Sequence, residues 1–153
     1  MTSIPVIEFR ALLVRVAAHT CALNLAHVAE VMRPLPIEKV AGTPDMVRGL
    51  SIIRGVPVPV VDPASLFGES CRDPSRFVVV RFEDRTVALA VDAVIGMAEY
   101  SEAALGQLPP LLQSAAASAV ERIATLDTGL LYLLSTARLV PEPFEIPVAL
   151  EAT

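Results

Sequence analysis

Tryptophan is missing from this 153-residue chain, and lysine occurs once, as Lys39. Twelve basic residues face seventeen acidic ones, for a net charge of −5, and no basic cluster forms. Nucleic-acid binding needs a basic face, often with stacking rings, so that class is set aside. The longest apolar runs are broken by Pro, Arg or Asp and fall short of a membrane span, so no direct membrane insertion is expected. No charged-then-apolar leader pattern opens the chain, and the cytoplasm is the expected compartment. Cys21 and Cys71 are the only cysteines. In a chain without a leader, two cysteines are more often reduced thiols than a disulfide. Only His19 and His27 are present. No Cys, Asp or second His stands at ligand spacing from them, so neither a metal nor any other cofactor is expected. Phosphate loops and Gly-x-Ser-x-Gly elbows are also missing.

What is abundant is short apolar runs. Hydrophobic residues make up 54% of the chain, and thirteen prolines and seven glycines punctuate them evenly. That punctuation is how an all-β chain reads. The patterning predicts strands over 11–18, 21–25, 31–32 with a continuation near 37–40, 47–53, 56–61, 76–82, 86–95, 120–125 and 130–134. Leu12, Val14 and Val16 share one face. Val87, Leu89 and Val91 oppose the small Ala88 and Ala90, so a second lobe or a partner should pack close to the alanines.

Helical pieces are brief. Asp62-Pro63 has N-cap and first-turn chemistry, with Gly68 as the stop. Ser135 caps a last helix that Pro141 ends, and 113–118 is suited to one more turn. Ten short strands are too many for one small barrel, so two five-stranded barrels are expected, meeting along 86–95. Residues 1–141 form one domain of two lobes, and the Pro-rich 142–153 is an extended or frayed tail.

Three constellations invite chemistry. Asp127-Thr128-Gly129 after an apolar strand is similar to the retroviral aspartic peptidases, whose chemistry needs two such aspartates across a dimer. All three residues are also favoured at a hairpin tip, and no matching flap accompanies them. Asp62 and Asp92 each follow an apolar run. They suit acid–base work as a pair, but capping, tying down a strand end or pairing with an Arg accounts for each. A small-ligand pocket between the lobes is a third reading. Arg54 stands at a turn between two strongly apolar strands. It is either a turn charge, solvated or paired with Asp62, or an anchor whose stem packs on apolar surface while its head meets a partner. Side-chain chemistry alone leaves both open.

The stretch Val47-Arg48-Gly49-Leu50-Ser51-Ile52-Ile53-Arg54-Gly55-Val56-Pro57-Val58-Pro59-Val60-Val61-Asp62 resembles a hairpin of the CheW family, the coupling proteins of bacterial chemotaxis arrays. Val28-Ala29-Glu30-Val31, Val87 through Val94, and Leu108-Pro109-Pro110 with 120–140 resemble further family segments in the same order. The resemblance covers roughly 10–140. It implies two intertwined five-stranded SH3-like barrels, no catalysis, and a chain that ties the cytoplasmic tip of methyl-accepting chemoreceptors to the regulatory domain of a CheA-type histidine kinase. Recruitment to membrane-associated receptor arrays follows from the same resemblance.

Carried over by position, Val28, Glu30, Arg54, Gly55 and Ala88 fall in the receptor-engaging region. Val79, Val91 and Met97 line surfaces shared with the kinase or the other barrel. The resemblance tips Arg54 toward the anchor. Four departures stand out. Pro57 replaces a β-branched residue and removes a strand donor. Ala88 replaces a glycine, Pro63-Ala64 replaces Leu-Arg, and Ser135 replaces an Asp.

Overall fold

The computed structural model describes residues 8–101, 106–107, 119–126 and 129–140. Its strands are β1 (Glu8–Val16), β2 (His19–Asn24), β3 (Val28–Met32), β4 (Val47–Ile53), β5 (Val56–Val61), β6 (Arg76–Phe82), β7 (Arg85–Val91), β8 (Ala93–Ser101), β9 (Gly106–Gln107), β10 (Val120–Leu126) and β11 (Gly129–Leu134). One sheet runs β8-β1-β2-β11-β10-β9, and the other runs β3-β6-β7-β5-β4. Each holds five substantial strands, and the two-residue β9 extends the first. The lobes interlock, because both ends of the described chain share one sheet and the middle strands build the other.

Three apolar clusters follow from period two. Leu12, Val14, Val16 and Leu23 meet Val78, Val80, Val87, Leu89 and Val91 in a core between the sheets. Ile53, Val58, Val60, Phe77, Val79, Ala88 and Ala90 fill the second sheet's own interior. Ala11, Ala22, Ala124, Leu131 and Leu133 fill that of the first. The β7 alternation is as expected, but its assignment reverses. The Val/Leu face of β7 meets the other lobe, and the alanine face lines its own barrel, where five strands converge and room is short.

The expected strand over 86–95 is two strands in two sheets. The chain changes sheet at Asp92, whose N–H donates to the Arg15 carbonyl at 2.9 Å. Its carboxylate accepts the Ala17 N–H at 2.6 Å and the Cys71 thiol at 3.3 Å. Ala17 sits at φ 56°, in the left-handed region, at the β1–β2 turn. Among the described residues, Asp92 therefore ties strand ends together through backbone and thiol donors.

Asp62 caps as expected. Its side chain accepts the N–H of Ala64 at 3.1 Å and of Cys71 at 2.9 Å. The helix that follows, Pro63–Phe67, is of the tighter 3-10 kind, and Gly68 ends it at φ 74°. Ser135 precedes the four-residue helix Thr136–Leu139 but caps it without a side-chain bond. Its carbonyl accepts Arg138 and Leu139 instead. The strand expected at 31–32 begins earlier, at Val28, and its continuation near 37–40 shrinks to one bridge between Glu38 and Leu50. The helical turn at 113–118, Leu108-Pro109-Pro110 and the tail lie outside the described residues.

Candidate protein-interaction site at the Arg54-Gly55 hairpin

The β4–β5 hairpin closes through two residues, with Ile53 opposite Val56. Arg54 has φ 51° and Gly55 has φ 79°. Positive φ at both central residues is the twist-matched turn of two-residue hairpins, which favours Asn-Gly. An added Cβ at Gly55 would meet open space, so backbone conformation alone asks for glycine there. Holding Arg54 in the left-handed region costs about 1 kcal/mol relative to ordinary backbone. A strained non-glycine residue at an exposed tip points to a use for its side chain.

That side chain crosses to β3. Arg54 Nη2 donates to Glu30 Oε1 at 2.9 Å, and Nη1 donates to Oε2, a two-pronged match. The hydrogen bond from Arg54 holds the Glu30 carboxyl below its usual range, and the pairing raises the guanidinium. β3 and β4 are the two edges of their sheet. The ion pair, the Glu38–Leu50 bridge and the 2.8 Å bond from Ser51 Oγ to the Pro36 carbonyl bring those edges together. Arg54 thus pairs with Glu30 and not with Asp62, which is buried and occupied by backbone N–H groups.

Gly49 permits that closure. A Cβ there would stand 2.1 Å from the Glu38 carbonyl oxygen. Leu50 and Glu38 exchange two backbone hydrogen bonds of 2.8 Å on the side away from β5. Leu50 opposite Pro59 is therefore a pair without mutual bonds, and alternation makes Ile52 opposite Pro57 another. The donor that Pro57 lacks faces away from β4, so the ladder loses nothing.

The structure brings Glu30, Arg54 and Gly55 into one place, with half-buried Val28 opening the same strand as Glu30. Met97 is 65% exposed, but it lies on β8 in the other sheet, opposite Leu12. Val79, Ala88 and Val91 are buried. Strands β6 and β7 have cores on both faces, so these three offer no side-chain surface to a partner and support the strands that do.

Other groups singled out in the sequence are structural. The imidazole of His19 stacks on Phe67 at 3.9 Å between centroids, and Tyr132 meets both rings edge-on. This contact between lobes has no short-range sequence signal. His27 Nδ1 shares a 2.9 Å bond with Thr136 Oγ1. Burial pushes both thiols up to about 12, and Asp92 adds to the effect at Cys71. Both are free. Among the described residues no three His, Cys, Asp or Glu side chains gather as metal ligands, and no helix is long and apolar enough to cross a membrane. An open cleft of about 300 Å³ has Ala18, His19, Thr20, Leu126, Leu130 and Tyr132 among its walls. Those residues all belong to the first lobe, so it is not the pocket between lobes. Leu126 pairs with Gly129 at the end of the β10–β11 hairpin, and Asp127 and Thr128 lie outside the described residues.

Residues 10–144 match the CheW-like domain family. The chemotaxis protein CheW of Klebsiella aerogenes is 24% identical over 121 residues, which is 77% of this chain and 73% of that protein. The crystal structure of the scaffolding protein TtCheW from Thermoanaerobacter tengcongensis superposes with a TM-score of 0.72 at 26% identity. The match covers 84% of this chain and 90% of that one. Nothing in these relatives supports the peptidase reading of Asp127.

Proposed function

Because the chain belongs to the CheW-like domain family, we propose that it is a non-catalytic adaptor of bacterial chemosensory signalling, coupling receptor tips to a CheA-type kinase in the cytoplasm. The observation that carries this reading is the family match across nearly the whole chain. The Glu30–Arg54 clasp on the exposed hairpin gives it a place to act. No bond is made or broken. Arg54, Gly55, Glu30 and Val28 contact the helical hairpin at the receptor's cytoplasmic tip. Met97, on the other lobe, contacts a like barrel in the kinase's regulatory domain. Val79, Ala88 and Val91 hold the strands that present these groups.

Holding two partners at once raises their effective concentration toward one another. Receptor state reaches the kinase as a coupling free energy between the two sites. The clasp suits this role, because a paired guanidinium and carboxylate hold a fixed geometry before the partner arrives. Lost ordering entropy then weakens binding less.

Immobilised receptor-tip hairpin, with wild type and Arg54→Ala as analytes, tests the assignment. Wild type is expected to bind in the micromolar range or better, and Arg54→Ala to bind at least about tenfold more weakly. Arg54→Lys is expected to fall between, because an ammonium cannot make both bonds to Glu30. Equal binding by wild type and Arg54→Ala would remove Arg54 from the interface.

A further inference from the structure

One short piece of chain joins the hairpin tip to the other lobe, and its composition makes it stiff. β5 leaves Gly55 and runs six residues to Val61, about 20 Å. β4 flanks it throughout, but β7 aligns with it only at Val60 and Val61. Among the described residues, the outer half of β5 therefore has a strand on one side only. A strand supported on one side bends more easily than one held on both. Pro57 and Pro59 stand in that half, and each locks φ at about −65°. The other four residues of β5 are valines, whose side chains are stiff at χ1. Rigidity that a second neighbour would supply is built into the chain instead.

The stiffness continues past the strand. Asp62 holds both flanks of the 3-10 helix Pro63–Phe67, through the Ala64 N–H at its start and the Cys71 N–H beyond its end. Pro63 fixes the first helical position. The N–H groups of Gly68 and Glu69 donate back to the Ser65 and Ala64 carbonyls at 3.1 and 3.0 Å. The helix thus moves with Asp62 as one body. Its far end meets the β1–β2 turn of the first lobe at two points. Phe67 stacks on His19 and meets Tyr132 edge-on. Cys71 reaches Asp92, which holds Ala17 of the same turn. From that turn β1 runs back to Leu12, the register partner of the exposed Met97. Close-packed groups do not deform gradually, so a shear at the stacked rings either leaves the stack formed or opens it.

We infer that β5 and the 3-10 helix after it form a strut that carries a displacement of the Arg54-Gly55 tip to the His19–Phe67–Tyr132 stack, with Phe67 as the positioning residue between the lobes. The strut deepens the coupling reading and rests on it for what displaces the tip. It gives Pro57, where the family pattern has a β-branched residue, a mechanical role. It also gives the aromatic stack a use beyond burial, because the stack stands where the strut ends and the other lobe begins.

The test reads coupling as a ratio, the affinity of the kinase's regulatory domain for this protein with saturating receptor-tip hairpin against that without it. In wild type the hairpin should change that affinity by at least about fivefold. Phe67→Ala should bind each partner separately as wild type does, yet lose the effect of one on the other. Phe67→Tyr keeps the ring and should keep the wild-type ratio. Pro57→Val/Pro59→Val softens the strut but leaves the stack in place, so it should lower the ratio, and it decides the matter even where Phe67→Ala fails to fold. If wild type couples its partners and the alanine and double valine variants keep its ratio, the strut is wrong while the coupling reading stands. Wild type that binds both partners with no effect of one on the other also overturns the strut. Wild type that does not bind the hairpin at all overturns the coupling reading itself.

Discussion

Replacing Asp92 with alanine should loosen the joint between the two lobes, and the size of the effect follows from its contacts. One carboxylate oxygen accepts the Ala17 N–H at 2.6 Å, and the other accepts the Cys71 thiol at 3.3 Å. A hydrogen bond to a charged acceptor contributes about 2 kcal/mol, and a weak thiol donor contributes about 0.5 kcal/mol. The bond also helps hold Ala17 at φ 56°, a strained conformation that would otherwise relax. The backbone N–H of Asp92 keeps its bond to Arg15 in the variant, so strand pairing itself survives. Asp92→Ala should therefore lose about 2–3 kcal/mol in chemical denaturation, with an unchanged denaturant slope. In a domain of this size the melting temperature should fall by about 5–10 °C. Asp92→Asn keeps an acceptor for Ala17 and should lose only about 1 kcal/mol. A cycle with Cys71→Ala should return a coupling of about 0.5 kcal/mol for the thiol contact. An Asp92→Ala variant within about 0.5 kcal/mol of wild type, the range of ordinary surface changes, would refute the reasoning.

Other expectations follow from separate parts of the fold. Gly49→Ala puts a methyl 2.1 Å from the Glu38 carbonyl oxygen and should lose about 3 kcal/mol or fail to fold, whereas Gly55→Ala meets only backbone strain and should lose about 1 kcal/mol. Thermal unfolding of the two variants side by side distinguishes space from conformation. Cys21 and Cys71, with thiols pushed up to about 12, should resist a chromogenic disulfide reagent at pH 8 until denaturant is added. Glu30 is held below the usual carboxylate range by Arg54, so the stability it adds is present above the unfolded-state pKa and is lost as pH falls through the folded one. A carboxyl NMR titration of wild type and Arg54→Ala should show the Glu30 midpoint rising in the variant.

The strands at 47–53, 56–61 and 76–82 were legible to the residue, because each is a short, mostly apolar run bounded by turn chemistry. The run at 86–95 was not. Its apolar residues continue across Asp92, and only the bonds from Ala17 and Cys71, far away in sequence, show that the chain changes sheets there. Period two separated the Val/Leu face of β7 from its alanine face correctly. It could not say which face met the other lobe, since both are buried and size alone does not choose between two cores. Glu30 and Arg54 were both singled out through the family resemblance, yet their pairing joins opposite edges of one sheet across 24 positions. The stack of His19 on Phe67 had no local sign at all. Pro57 appeared to remove a ladder bond, and only the register shows that the missing donor faces outward.

Coupling is tested most directly by a three-component experiment. Receptor-tip hairpin on a bead, the kinase's regulatory domain in solution, and this protein at rising concentration would be measured for retained kinase domain. Retention should rise with the adaptor, then fall when excess adaptor occupies each partner separately, as expected for a bivalent bridge. With Arg54→Ala the rise should be lost while binding to the kinase domain persists. Retention of the kinase domain that is independent of this protein, or no retention at any concentration, would contradict the assignment.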